Sequence, residues 1–283
     1  MVNFLHSSPY KCGPGRFHLN CRSKRNHDFN RCGKQWILIV FPHSYLADNS
    51  HFNPQIQKLK NRFHCLAFDH RGHGQSEIKK DGYDMENLYA DAVGFIEALD
   101  CAPCHFVGLS TGGFIGLRIG IRRPDLVKSL VLMDTSADEE TKEALRQYRQ
   151  MLFVARWFGF WPLIGRIMPI FFASKFLNDP ARIHEVTEWR RRFMANNRLA
   201  MYKFGQGIFT RDSVYNQLEK IQTPTLVIVG AEDVPEPPAK AERIAKKIPG
   251  AKLTVIPEAG HLCTVEEPLA VTSAIEDFLS NQT

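Results

Sequence analysis

Val107-Gly108-Leu109-Ser110-Thr111-Gly112-Gly113 sets a serine between two glycines, each two residues away. The apolar run His105-Phe106-Val107 comes before it and Phe114-Ile115-Gly116-Leu117-Arg118-Ile119 after it, so the pattern predicts a strand, a sharp turn and a helix. G-x-S-x-G in that setting is a nucleophile elbow. The spacing has a steric reason. A serine on so tight a turn is held in a strained backbone conformation, and only hydrogen side chains at Gly108 and Gly112 let strand and helix approach closely. The turn would expose Ser110 Oγ at the carboxyl end of the strand and aim a helix N-terminus at developing negative charge. Alone, the motif also fits an ordinary strand-to-helix turn, so its partners must decide.

An elbow serine is followed along the chain by an acid and then a histidine. Thr225-Leu226-Val227-Ile228-Val229 is a β-branched run that ends in Gly230-Ala231-Glu232-Asp233. Lys252-Leu253-Thr254-Val255-Ile256 is a second strand pattern, ending in Pro257-Glu258-Ala259-Gly260-His261. Each strand delivers one candidate to the loop past its carboxyl end, where ligands sit in open α/β sheets. His261 would take the Ser110 proton and return it to the leaving group, while Asp233 would orient the imidazole and stabilise the imidazolium. A second acid stays open: Asp134, after the apolar run Leu130-Val131-Leu132-Met133.

With these residues in place, the chain resembles the α/β-hydrolase superfamily, in the branch of small esterases, lactonases, enol-lactonases and cofactor-free haloperoxidases. The motifs that carry the resemblance are Pro42-His43-Ser44-Tyr45, Asp69-His70-Arg71-Gly72-His73-Gly74-Gln75-Ser76, Gly108 to Gly113, and Gly230 to Asp233 with Gly260-His261. The second of these is a glycine-rich loop expected to pack beside the site without reacting. The resemblance implies oxyanion donors from the backbone N–H groups of Thr111 and Tyr45, each worth about 2.7–4 kcal/mol in the transition state. It also puts His43 among the substrate-contacting residues. One departure stands out, because Ser44 occupies a place where such proteins usually carry glycine, and serine reaches some loop conformations only at a cost.

The order of elements fits the resemblance. Strands are expected at 36–41, 63–68, 105–109, 128–133, 225–229 and 252–256, and helices at 52–60, 85–99, 113–122, 238–247 and 268–280. Such alternation predicts a mostly parallel sheet with helices on both faces. A long helical stretch over 138–212 interrupts it after the sixth strand, counting a hairpin at the start. The expected division is therefore a core in two parts, 1–137 and 213–283, around a helical cap at 138–212. The cap is rich in aromatics, and Trp157, Phe158, Phe160 and Trp161 are expected to face an apolar acyl or aromatic group. Arginines and prolines break this stretch, and its charge-free run 157–165 is far short of the ~20 residues a membrane span requires. Gly159, Pro162 and Gly165 are candidate pivots for a lid.

Composition narrows the partners. A net charge of +6 on 283 residues is modest, and the basic cluster Arg190-Arg191-Arg192 lacks the aromatic-plus-basic spacing of a nucleic-acid module. No nucleic acid, stable membrane insertion, cofactor or metal is expected, and the oligomeric state is open. Residues 1–34 hold scattered Cys and His without close metal-ligand spacing and read as an irregular lead-in. They contain no apolar signal-like core, and the seven cysteines show no paired framework, so a reducing cytoplasm is expected. Cys101-Ala102-Pro103-Cys104-His105 matches a haem-attachment string only by chance, since it leads into a core strand.

The expected function is a serine hydrolase, an esterase acting on small to medium apolar carboxylic esters through an acyl-enzyme, on a small-molecule ester or lactone. A lactonase, a haloperoxidase or perhydrolase, and a ligand-binding receptor of the same fold are the alternatives. Activity is expected to fall below about pH 6 as an ordinary histidine, pKa near 6.5, takes up a proton.

Overall fold

A computed structural model describes residues 21–24, 37–99 and 102–282. Seven strands among them form one sheet in the order β1-β3-β2-β4-β5-β6-β7. β2 (Leu38–Pro42), β3 (His64–Phe68), β4 (Cys104–Leu109), β5 (Val127–Met133), β6 (Thr225–Gly230) and β7 (Lys252–Ile256) run parallel, and β1 (Cys21–Lys24) pairs with β3 antiparallel. The expected fold class is the one observed. Residues of β2, β4 and β6 are buried throughout, as near-continuous Val, Ile, Leu and Phe runs must be when both faces of a parallel sheet are covered. β7 is one edge strand, and its Lys252, Leu253 and Val255 are exposed.

Helices α1 (Asn53–Leu59), α2 (Met85–Ala98) and α3 (Thr111–Arg122) cross between the first parallel strands. After β5 come α4 (Lys142–Phe158), α5 (Ile164–Phe171), α6 (Ser174–Asn178), α7 (Ile183–Ala195) and α8 (Arg198–Phe209), the helical insertion that lies over the sheet. α9 (Pro238–Lys247), α10 (Cys263–Glu266) and α11 (Pro268–Ser280) complete the chain. α2 packs on α3 and α1 on α11, while α9 lies against β6 and β7. Among the described residues, the insertion follows the fifth strand. The expectation of a sixth counted a hairpin at the start; β1, antiparallel to β3, is the one strand before β2 among the described residues. Of the lead-in expected to be irregular, Cys21–Lys24 form β1, while residues 1–20 and 25–34 lie outside the described residues.

Two caps show local sequence at work. Asp84 accepts the Asn87 amide at the start of α2, and Thr141 accepts the Ala144 amide at the start of α4. α3 begins at Thr111, two residues earlier than its apolar pattern indicates, because the elbow turn hands the chain straight to the helix.

Candidate active site

Ser110 closes β4 with φ 53° and ψ −109°, a left-handed conformation for a residue that carries a Cβ. The surrounding structure holds it there. Its amide donates to the Met133 carbonyl at 2.8 Å, and its own carbonyl accepts from Thr135 Oγ1 at 3.0 Å. The two glycines of the motif are sterically required. A Cβ at Gly108 would stand 2.4 Å from the carbonyl of Gly112, and one at Gly112 would stand 2.2 Å from the Pro42 oxygen. Thr111 is the first residue of α3, so its N–H has no carbonyl one turn earlier to bond.

The acid and the histidine come from neighbouring loops. Asp233 follows β6 and His261 follows β7, and backbone bonds tie the loops together, Ala231 N–H to Ile256 O at 2.9 Å and Glu232 N–H to Ala259 O at 2.8 Å. His261 Nδ1 then lies 3.1 and 3.0 Å from the two Asp233 oxygens. A carboxylate in that position makes Nδ1 the protonated nitrogen and leaves Nε2 free to act as a base. Asp233 Oδ1 also accepts the Glu236 amide at 3.0 Å, which fixes the carboxylate. Burial works against charging His261, yet the Asp233 carboxylate beside it, helped by Asp134 and Glu236, raises its pKa to about 9. The expectation of an ordinary imidazole is thus corrected upward.

Asp134, the other candidate acid, sits at the end of β5 with φ 45°. Its Oδ1 accepts the Gly230 amide at 2.8 Å, and no hydrogen bond joins it to His261 among the described residues. Burial, and then the charge of Asp233, push its carboxyl well above the usual range. It braces the turn that carries the other acid.

Ser110 and His261 line one cavity, which holds about 760 Å³ of empty space with its open mouth included. Among the described residues no hydrogen bond joins Ser110 Oγ to His261 Nε2; such contacts are often long before substrate is engaged. Ser44, Tyr45, Phe114, Met151, Leu152 and Phe160 supply part of the wall, and Leu163, Ile167, Phe171 and Ile208 much of the rest. The Tyr45 hydroxyl donates to the Met201 carbonyl at 2.9 Å and anchors the loop to α8. Ser44 is buried and its φ is not positive, so the serine costs this loop no backbone strain.

Two expectations about substrate contacts are corrected. His43 lies behind the loop and not in the cavity: its Nδ1 donates to the Ser44 carbonyl at 2.7 Å and its Nε2 accepts the His70 amide at 3.0 Å. Burial lowers its pKa below the ordinary value. It shapes the Ser44-Tyr45 turn from within. Of the cap aromatics Trp157, Phe158, Phe160 and Trp161, only Phe160 lines the cavity; the other three are exposed. For Trp157, helix phase is the reason. Tyr148, Met151, Leu152 and Ala155 form the inward face of α4, and Trp157 falls on the opposite side with Phe153. Of the candidate pivots, Gly159 has φ 80° and ends α4, while Gly165 is an ordinary residue of α5.

Polar residues that sequence reasoning missed line the far wall. Arg211 donates to Glu140 Oε1 at 2.7 Å and to Ser136 Oγ at 2.9 Å, and stands 3.5 Å from Glu236 Oε1. Its guanidinium lies 3.9 Å over the Phe114 ring. Glu236 is also paired with Lys240 at 2.8 Å. Glu266, outside the cavity wall, is also absent from the sequence reading: it accepts the amides of Gly260 at 2.8 Å and Ala173 at 2.7 Å, joining the His261 loop to the insertion. In sequence, Arg211 resembles any charged residue at a helix end and Glu266 any acid near a helix start.

Among the described residues no group of His, Cys, Asp and Glu could hold a metal ion, and no helix is long and apolar enough to cross a membrane.

Comparison with known proteins agrees with this architecture. A 3-oxoadipate enol-lactonase of Acinetobacter baylyi is 26% identical over 238 residues, 84% of this chain and 86% of the relative. An enol-lactonase structure from Burkholderia xenovorans superposes with a TM-score of 0.84 at 27% identity, covering 93% of this chain and 96% of that one. A malate-bound thermophilic esterase from Thermogutta terrifontis superposes with 0.85 at 25% identity, covering 95% of each. Residues 39–274, most of the length, match the alpha/beta hydrolase family, and the chain belongs to it.

Proposed function

We propose that the protein is a serine hydrolase that cleaves carboxylic esters of small to medium, uncharged apolar substrates through an acyl-enzyme. The observation that carries this reading is the Asp233–His261 contact facing the same cavity as the strained Ser110. In the proposed reaction Ser110 Oγ attacks the carbonyl carbon while His261 Nε2 takes its proton. The N–H groups of Thr111 and Tyr45 hold the oxyanion, and the collapsing intermediate expels the alcohol, which receives the proton from His261. Water, deprotonated by the same nitrogen, then attacks the acyl carbon and releases the acid with Ser110 restored.

Substrate polarity follows from the wall. Among the described residues, Arg211 is the cavity's one permanent cation, and two carboxylates already share it. A substrate carboxylate would meet Glu140 and Glu236 with no unshared positive charge, whereas an aliphatic or aromatic group meets Leu, Ile, Met and Phe. The buried free thiols of Cys65, Cys104 and Cys263 support a reducing compartment, the cytoplasm.

A lactone is the second reading, favoured by the enol-lactonases among the relatives. The same attack on a cyclic ester opens the ring and keeps the alcohol attached. Steady-state rates on matched linear esters and lactones separate the two, and Ser110→Ala tests both. Loss of turnover with an unchanged melting temperature is expected. Retained turnover in the folded variant would overturn the proposed role of Ser110.

A further inference from the structure

The outer face of the insertion differs from the rest of the surface. Phe153, Trp157, Phe158 and Trp161 are 57, 59, 67 and 79% exposed, four large apolar side chains within nine residues. Their charge setting is one-sided. From Ala144 to Asn178 the chain has no Asp or Glu, while Arg146, Arg149, Arg156, Arg166 and Lys175 contribute five of the six net positive charges of the whole molecule. Lys175 pairs with Glu258 outside this segment. No ion pair joins Arg146, Arg149, Arg156 or Arg166 to a carboxylate among the described residues.

The geometry puts Arg146, Arg149, Phe153 and Trp157 on one side, and exposed Phe158 and Trp161 follow directly at and after the end of α4. Arg146, Arg149, Phe153 and Trp157 follow one another at helical spacing along the outer face of α4, and a shallow groove there is lined by Arg146, Arg149 and Phe153. The Arg156 guanidinium lies 4.8 Å from the centre of the Trp157 ring, and Arg198 donates to the Trp157 carbonyl at 3.2 Å. The same stretch turns Phe160 and Leu163 into the cavity.

We propose that this face docks the protein on an anionic phospholipid surface, with Phe153, Trp157, Phe158 and Trp161 entering the headgroup boundary and the arginines meeting lipid phosphates. Tryptophan is the side chain best suited to that boundary, and clustered basic residues add attraction to acidic lipids. Charge decides against the other plausible occupant, because a second copy would bring the same unpaired arginines against these. Attachment of this kind lies on the membrane and needs no spanning helix. It stands on the surface alone and does not depend on the ester-hydrolase reading.

The test is flotation of the full chain with vesicles of phosphatidylcholine alone or with three parts in ten phosphatidylserine, read together with tryptophan emission. The expected result is binding to the acidic vesicles at least tenfold tighter than to neutral ones, a blue shift in emission, and release by 0.5 M salt. Trp157→Ala with Trp161→Ala should weaken binding at least tenfold. Arg146→Glu with Arg149→Glu should do the same while the melting temperature is kept, which guards against misfolding. Equal binding to both vesicle types, binding to neither, or a dimer in solution that the tryptophan substitutions dissolve would each overturn the proposal.

Discussion

Asp134 and Asp233 stand on the turns after neighbouring strands, and only Asp233 bonds the imidazole of His261, while Asp134 accepts the amide of Gly230. The two carboxylates are close enough for the charge of one to hinder ionisation of the other. Their substitution should therefore separate sharply. Asp233→Asn replaces the acceptor at Nδ1 and should lower kcat by about 10⁴, the scale seen when such an acid is neutralised. Asp134→Asn keeps an oxygen for the Gly230 amide and should lower it by less than tenfold. Parallel kinetics on one ester check this, and the reverse order would make Asp134 the acid.

The pH profile should betray the environment of His261. A base acts when unprotonated, so kcat/KM should rise with pH along a limb centred above the ordinary 6.5 and approaching 9. The same shift has a thermodynamic side. The folded protein keeps a proton that the unfolded chain releases near pH 6.5, so this contribution to stability is complete below about 6.5 and lost as pH rises through 9. Rates and melting temperatures measured from pH 5 to 10 test both statements; a limb centred at or below 6.5 contradicts them.

Substrate charge offers a direct check on Arg211. Matched esters ending in a methyl group or in a carboxylate should differ at least tenfold in kcat/KM, about 1.4 kcal/mol, in favour of the neutral one. Glu140→Gln leaves the guanidinium with one carboxylate fewer and should narrow that gap. An anionic ester handled as well as its neutral match would contradict a fully shared Arg211.

Two glycines with opposite surroundings make a paired stability test. Gly112→Ala would push a Cβ to 2.2 Å from the backbone oxygen of Pro42, which cannot yield cheaply, and should cost at least about 3 kcal/mol together with activity. Gly165 lies in α5 with nothing near its missing Cβ, so Gly165→Ala should gain about 0.5–1 kcal/mol. Urea unfolding of both variants measures the difference.

What was readable in the sequence was whatever short-range pattern dictates. The β-branched runs at 225–229 and 252–256 mark strands because branched side chains suit a pleated, at least half-covered surface, and the G-x-S-x-G string marks a turn that larger residues cannot make. Asp233 and His261 were legible because each ends such a strand. Trp157 was misjudged, since aromatic content says nothing about which side of α4 a ring will face. That phase was fixed by Tyr148, Met151, Leu152 and Ala155, which line the cavity together with distant Ser44, Phe114 and Ile208. Arg211 and Glu266 stayed hidden for the same reason: their partners Glu140, Glu236, Gly260 and Ala173 are brought to them only by the folded chain.

The central claim is that Ser110 is an activated nucleophile. Incubation with a fluorophosphonate, followed by intact mass and peptide mapping, tests it most directly. The account predicts one adduct per chain, on Ser110, that is lost in Ser110→Ala and slowed strongly in His261→Ala. An unlabelled wild-type protein, or a label on another residue that persists in Ser110→Ala, would contradict it.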